Sequence, residues 1–177
     1  MLLEHVFVTT LDPNEALRRA SEFLGARGFV STGGGFQVES QWTTLEVRRG
    51  QTNPAKAKGI PDLPQTVRIV YDRGRVNMAI AMPAYKRAFW TGVGEYPPAH
   101  VKAIPHGDLL MAIARSVEAV MTQPAPPPET GQDWAALEAS LRAQGMKEHR
   151  RRRITLYLAV VFVIAMFVLL IVAVVNS

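Results

Sequence analysis

The apolar run at residues 154–175 constrains this chain more than any other feature. It reads ITLYLAVVFVIAMFVLLIVAVV and contains no charged side chain. Because an α-helix rises about 1.5 Å per residue, the run predicts a helix of roughly 33 Å. That length is sufficient to cross a hydrocarbon core of about 30 Å. We therefore expect one C-terminal transmembrane helix that anchors the rest of the chain to a membrane.

The residues before the run predict its orientation. A basic cluster precedes it, formed by Lys147, Arg150, Arg151, Arg152 and Arg153. Basic residues beside a span stay on the cytoplasmic side, so we expect residues 1–153 to face the cytoplasm and the C-terminus to lie on the opposite side. The first residues, MLLEHVFVTT, lack the basic and apolar regions of a signal peptide, which favours the same orientation. The basic cluster and the interfacial Tyr157 are candidate contacts to anionic lipid headgroups.

The positive charge of the chain is concentrated in this basic cluster. The full sequence carries 20 Lys and Arg residues against 15 Asp and Glu residues. Residues 147–153 hold five of the basic residues against one acidic residue, which leaves 15 against 14 in residues 1–146. A nucleic-acid-binding domain carries its basic surface on the domain itself. We therefore expect a membrane partner and no nucleic-acid partner.

The sequence divides into four segments. We assign a cytoplasmic α+β domain to 1–122, a Pro-rich linker to 123–132, an amphipathic and basic juxtamembrane helix to 133–153, and the transmembrane helix to 154–175. Within the domain, residues typical of strands occur at 3–10, 43–49, 65–72 and 75–82, and shorter strand patterns flank the glycines at 33–35. Helices are predicted after Asp12 and from about Asp108 to Thr122. The order β-α-β-β-β-β-α predicts a small antiparallel sheet of about five strands with two helices on one face.

Two segments are candidate contact surfaces for other molecules. The stretch 85–105 is predicted to be a loop that collects aromatic and basic residues. Its candidate partner contacts are Tyr85, Lys86, Arg87, Phe89, Trp90 and Tyr96, because aromatic and arginine side chains anchor protein interfaces. Alternatively, Phe89 and Trp90 could fold back over an open sheet edge and complete the core, or the loop could close a pocket. The helix that contains Trp134, another candidate partner contact, could lie on the bilayer, continue into the span, or enter a partner groove.

No residue pattern in this sequence predicts an enzyme, a metal site or a cofactor. The histidines lack metal-ligand spacing, no cysteine is present, and no GxSxG nucleophile motif occurs. The glycines at 33–35 precede a strand pattern, whereas a phosphate-binding loop precedes a helix. We therefore expect no cofactor and no catalytic residues.

These observations favour a non-enzymatic accessory subunit that packs on the cytoplasmic face of a larger membrane complex. The alternative is a membrane-tethered domain that binds a lipid or another small molecule in a cavity between its sheet and its last helix, as in helix-grip folds. A weaker third hypothesis is an enzyme for a membrane-associated substrate, centred on His100 and His106.

Overall fold

In the described chain one helix follows the first strand, seven further strands come next, and two helices end the chain. The computed structural model describes residues 1–32, 37–39, 42–52, 57, 59–82, 85–88, 92–95, 104–123 and 130–175. In chain order its elements are β1 (Leu2–Val8), α1 (Pro13–Gly25), β2 (Val30–Ser31), β3 (Gln37–Glu39), β4 (Trp42–Arg49), β5 (Gln65–Asp72), β6 (Arg75–Ala81), β7 (Tyr85–Ala88), β8 (Gly92–Glu95), α2 (Ile104–Thr122) and α3 (Gln132–Val175). A short 3₁₀ turn, Ile60–Asp62, precedes β5.

The main sheet is antiparallel and has the strand order β1-β6-β5-β4-β2, with β3 also paired to β4. The N-terminal strand therefore pairs with the second strand of the later hairpin and forms one edge. Helices complete the architecture, so the predicted α+β class and the antiparallel sheet of about five strands are confirmed.

The hairpin of β5 and β6 illustrates why the sheet forms. Arg73 and Gly74 connect the strands with positive φ angles of 48° and 87°, which are the backbone conformations of a tight hairpin turn. Buried and less buried residues alternate along both strands. Ile69 lies opposite Met78 in the register, and both side chains are almost fully buried. The turn and the alternation therefore agree on one register.

Helices α1 and α2 cover the apolar face of the sheet. Asp12 begins α1, because its carboxylate accepts a hydrogen bond from the backbone N–H of Asn14 at 2.9 Å. The two helices contact each other, and α1 contacts β4 while α2 contacts β1 and β6. The fully buried side chains of α2 pack in the same core as the strands; they are Leu109, Ile113, Ala114, Val117 and Met121.

Two local predictions differ from the structure. The segment predicted as a loop at 85–105 contains the antiparallel pair β7 and β8, which forms a separate two-stranded sheet. Gly92 and Gly94 disfavour a strand prediction, which is why the pattern indicated a loop. Helix α2 begins at Ile104 instead of about Asp108. Pro105 is tolerated there, because the first helical residues have no intrahelical partner for their N–H groups.

Helix α3 is continuous from Gln132 to Val175. It includes both the segment assigned to a juxtamembrane helix at 133–153 and the segment assigned to the span at 154–175, and it passes through Gly145 without interruption. Within the part of the chain that the structure describes, no helix combines the length and the apolarity that a membrane crossing requires. The transmembrane helix therefore stays a prediction from the sequence.

Candidate functional site

The first turns of α3 pack against the α+β domain. Trp134 is 1% exposed and Leu141 is 5% exposed, and both belong to the same buried core as the sheet. We call this contact the α3 docking site, and its central residues are Arg27, Arg49, Trp134 and Glu138. Packing on its own domain is not among the three environments predicted for this helix, whereas its continuity with residues 154–175 agrees with one of them.

Trp134 is enclosed by aromatic rings and guanidinium groups. Its ring centroid lies 6.0 Å from that of Phe23 and 6.2 Å from that of Phe29. The guanidinium carbons of Arg27 and Arg49 each lie 5.1 Å from its ring centroid, within the range of a cation–π interaction. The prediction that Trp134 contacts a partner is therefore wrong for this conformation, because the indole is enclosed by its own chain.

Glu138 places a carboxylate beside this aromatic group. One carboxylate oxygen, Oε1, accepts a hydrogen bond from the indole Nε1–H of Trp134 at 2.7 Å and also pairs with Nη2 of Arg49. The other oxygen, Oε2, lies 3.4 Å from Nη2 of Arg142. The side chains of Arg49 and Glu138 are 9% and 10% exposed. A carboxylate with three donor groups is well satisfied, which a buried charge requires.

Arg49 joins this carboxylate to the sheet and to the turn that follows α1. Its Nε donates to the side-chain oxygen of Gln65 at 3.0 Å, and its Nη1 donates to the backbone carbonyl of Arg27 at 3.1 Å. Burial lowers the pKa of Arg49, while the hydrogen bond and the charge of Glu138 oppose that change. Burial also lowers the pKa of Arg27. Both shifts have the same largest cause, the removal of the guanidinium from water, and the charge of Glu138 opposes both.

Backbone geometry lets α3 approach the domain closely. Gly131, with φ +86°, precedes the helix, and an added Cβ would overlap with the guanidinium of Arg27. Gly59 faces the backbone of α3, where a Cβ would meet the carbonyl oxygen of Leu141 at 3.4 Å. Next to it, Asp62 pairs with Arg142 at 3.6 Å. The contact thus extends along one face of α3 from its first turn to Arg142.

The predicted lipid-headgroup residues follow the docking site on α3. The described side chains of Lys147, Arg150, Arg151 and Arg153 are exposed. Arg152 lies on the same helix, but its side chain is outside the described residues. Tyr157 is 75% exposed. The docking site therefore does not bury the side chains that the sequence predicts at the membrane surface.

The apolar part of α3 has no covering within the described chain. Every described side chain from Arg153 to Met166 is exposed, and Phe162 reaches 66%. Consecutive apolar residues over more than three helical turns place apolar groups on all sides of the helix. Such a helix is normally enclosed, either by protein or by lipid.

The predicted partner contacts at 85–96 are only partly described. Tyr85, Lys86 and Arg87 lie on β7, where the backbone alone is described. Phe89, Trp90 and Tyr96 lie outside the described residues. Their role as partner contacts stays a prediction from the sequence.

The histidines of the enzyme hypothesis are only partly described. His106 is 2% exposed, within the domain, and His100 lies outside the described residues. Nε2 of His5 lies 2.7 Å from Oε2 of Glu118. Among the described residues, no group of three His, Cys, Asp or Glu side chains could hold a metal ion.

An open groove of about 540 Å³ runs along α2 toward the start of α3. Asp108, Arg115 and Asp133 contribute charged groups to its lining. The core side chains of α2 lie on the opposite side, against the sheet. The helix-grip hypothesis predicts a cavity between the sheet and α2, the last helix of the domain, whereas this groove lies on the side of α2 that faces away from the sheet.

Comparison of the chain with protein-family models, with curated proteins and with solved structures found no match.

Proposed function

We propose that this chain is a non-enzymatic, single-pass membrane protein, anchored near its C-terminus, whose α+β domain serves as an accessory subunit on the cytoplasmic face of a larger membrane complex. In this proposal the apolar run at 154–175 crosses the membrane and the basic cluster lies at its cytoplasmic surface.

The main support for the membrane anchor is the exposure of the apolar part of α3. The described side chains of residues 154–166 are exposed and include ten large apolar groups; these are Ile154, Leu156, Tyr157, Leu158, Val160, Val161, Phe162, Val163, Ile164 and Met166. Soluble monomers rarely expose contiguous apolar surfaces of this kind. The basic cluster comes directly before the run, as expected where a helix enters a bilayer from the cytoplasm.

The accessory role rests on the sequence of the domain. No catalytic or cofactor motif occurs in it, and the segment 85–96 combines aromatic and basic residues. Side chains of these types anchor protein interfaces. The docking site adds that Trp134 belongs to the domain core, which leaves the segment 85–96 as the proposed partner contact.

The test is recovery of the native protein through an N-terminal tag in mild detergent, followed by native sizing and mass spectrometry. We expect a large assembly in which the chain has a fixed stoichiometry to other membrane subunits. A chain lacking residues 154–175 is the matched control, and we expect it to be recovered without those subunits. Recovery of the full chain as a monodisperse monomer would contradict the accessory role.

A second experiment separates the anchor from the accessory role. Alkaline extraction of membranes should leave the full chain in the pellet, whatever its partners. Release of the full chain would contradict the proposed transmembrane anchor. Any partner would then have to be bound without it.

A further inference from the structure

We propose that the α3 docking site is a rigid coupling that makes the α+β domain and the membrane anchor move as one body. The proposal rests on the anchor proposed above and deepens it, because it states how the orientation of the domain is set. The sequence predicts only that the Pro-rich linker at 123–132 separates the domain from the helix that follows it.

The first argument is the continuity of α3. The residues that dock on the domain and the apolar run belong to one helix, Gln132–Val175. Arg142 and Ile154 are separated by about 18 Å along the axis, at ~1.5 Å per residue. Backbone hydrogen bonds stiffen this stretch, so a change in tilt or rotation of the anchor is transmitted to the docked turns.

The second argument is the extent of the docking contact. Trp134, Glu138 and Leu141 lie on one face of α3, and each residue taken whole, backbone included, is at most 8% exposed. Arg142 extends the contact through Asp62 at 3.6 Å. A contact over more than two helical turns restrains both the angle of the helix and its rotation about its own axis.

The third argument is the variety of elements that the contact joins. Arg49 ends β4, Arg27 follows α1, and Asp62 lies in the 3₁₀ turn before β5. The guanidinium carbon of Arg27 lies 3.6 Å from the ring centroid of Phe23 on α1. The helix is therefore held by the sheet, by the end of α1 and by the 3₁₀ turn, and not by one mobile loop.

A rigid coupling and a tether differ strongly in how far the domain can move from α3. If the docking site opened, the connection 123–131 could separate the domain from the helix by roughly 28 Å, at ~3.1 Å per residue for an extended proline-rich chain. If the docking site stays closed, the domain keeps one height and one orientation above the bilayer. Partners would then meet the same face of the domain in every copy.

The experiment is a distance measurement by pulsed electron paramagnetic resonance on the full chain. The protein contains no cysteine, so Arg68→Cys on β5 and Glu148→Cys on α3 provide one spin-label pair, at two exposed positions. The labelled chain is measured in bilayer discs of zwitterionic and anionic phospholipids and in mild detergent. We expect one narrow distance distribution in both media.

Variants of the docking site show whether it is the coupling. Glu138→Gln removes the carboxylate charge, Trp134→Ala removes the indole, and each should broaden the distribution and add longer distances. Glu22→Gln is the matched control, because it removes an exposed ion pair on α1 and should leave the distribution unchanged. Circular dichroism of each variant verifies that the sheet is still folded.

If the docking site is unmodified and the distances between the two spin labels are nevertheless broadly distributed, in discs or in detergent, the proposal is wrong. A narrow distribution that persists in both docking-site variants would also overturn it. Failure of the chain to enter bilayer discs would contradict the anchor, and the detergent measurement would still decide whether the domain is coupled to α3.

Discussion

Two segments of α3 contain apolar residues, yet they are in opposite environments. At 132–142 the large apolar side chains, Trp134, Leu137 and Leu141, are spaced on one face of the helix and are buried or partly buried. At 154–166 apolar side chains surround the helix and all of them are exposed. The comparison indicates that a narrow stripe can dock on a small domain, whereas a helix that is apolar on all sides needs a larger apolar environment.

Among the changes that test this comparison, removal of residues 154–175 should have the largest effect, and that effect should be on membrane association. We expect the truncated chain to leave the membrane pellet completely upon alkaline extraction, because the segment proposed to occupy the bilayer is gone. Thermal unfolding of its domain should match that of the full chain, since the docking site is retained. A truncated chain that stays in the pellet would show that another segment holds the protein on the membrane.

Glu138→Gln tests the buried segment. It leaves Arg49 buried without its charge partner, and breaking a buried ion pair costs about 3–5 kcal/mol. Chemical denaturation in mild detergent, followed by circular dichroism, should register this loss. Glu148→Gln is the control on an exposed part of the same helix and should change the free energy of unfolding by less than about 0.5 kcal/mol. Equal effects of the two substitutions would contradict the docking site.

Ile164→Arg tests the exposed apolar segment. An arginine near the middle of a span raises the apparent free energy of insertion by about 2.5–3.5 kcal/mol. We expect less protein in the alkaline pellet, while the unfolding of the domain stays unchanged. Ile164→Leu should insert as the natural chain does. An arginine variant that inserts fully would place Ile164 outside the bilayer.

Gly131→Ala tests the close approach of α3 to Arg27. The positive φ angle of 86° at this residue costs about 1–2 kcal/mol for a residue with a Cβ. The control is Gly107→Ala in α2, where a Cβ would make an ordinary contact to Met1 at 3.8 Å and alanine favours the helix by about 0.5–1 kcal/mol. In a denaturation experiment Gly131→Ala should therefore lower the free energy of unfolding, and Gly107→Ala should raise it.

Arg142→Ala should have the smallest effect. Its side chain is 50% exposed although it pairs with Asp62 and Glu138, and exposed ion pairs contribute about 0.2–1 kcal/mol. Denaturation should show a loss within that range. A loss as large as that of Glu138→Gln would mean that the margin of the docking site, and not its buried centre, holds α3.

Local sequence signals predicted the parts of the fold whose determinants are close in the chain. Asp12 and the residues after it specify the start of α1, and the strand patterns at 65–72 and 75–82 correspond closely to β5 and β6. The pair β7 and β8 was not predicted, because Gly92 and Gly94 weaken the strand pattern. The start of α2 was misplaced because Pro105 is compatible with a loop and with a first helical turn.

The docking site could not be predicted from such local signals. Arg49 and Glu138 are 89 residues apart, and only the completed sheet brings them together. Glu138 and Arg142 have the spacing of an ordinary surface pair on a helix, so the buried role of Glu138 leaves no distinctive pattern. The helix that contains Trp134 has a narrow apolar stripe, and such a stripe can pack on a bilayer, on a partner or on its own domain.

The most direct test of the two environments of α3 is a cysteine-accessibility measurement on the full chain in sealed vesicles whose outer surface is the proposed cytoplasmic face. Single cysteines at Leu141, Ala143 and Val160 are exposed to a membrane-impermeant maleimide, before and after addition of concentrated urea. We predict that Ala143→Cys reacts at once, Leu141→Cys reacts only in urea, and Val160→Cys reacts in neither condition. Equal reactivity of Val160→Cys and Ala143→Cys in the untreated vesicles would contradict the account.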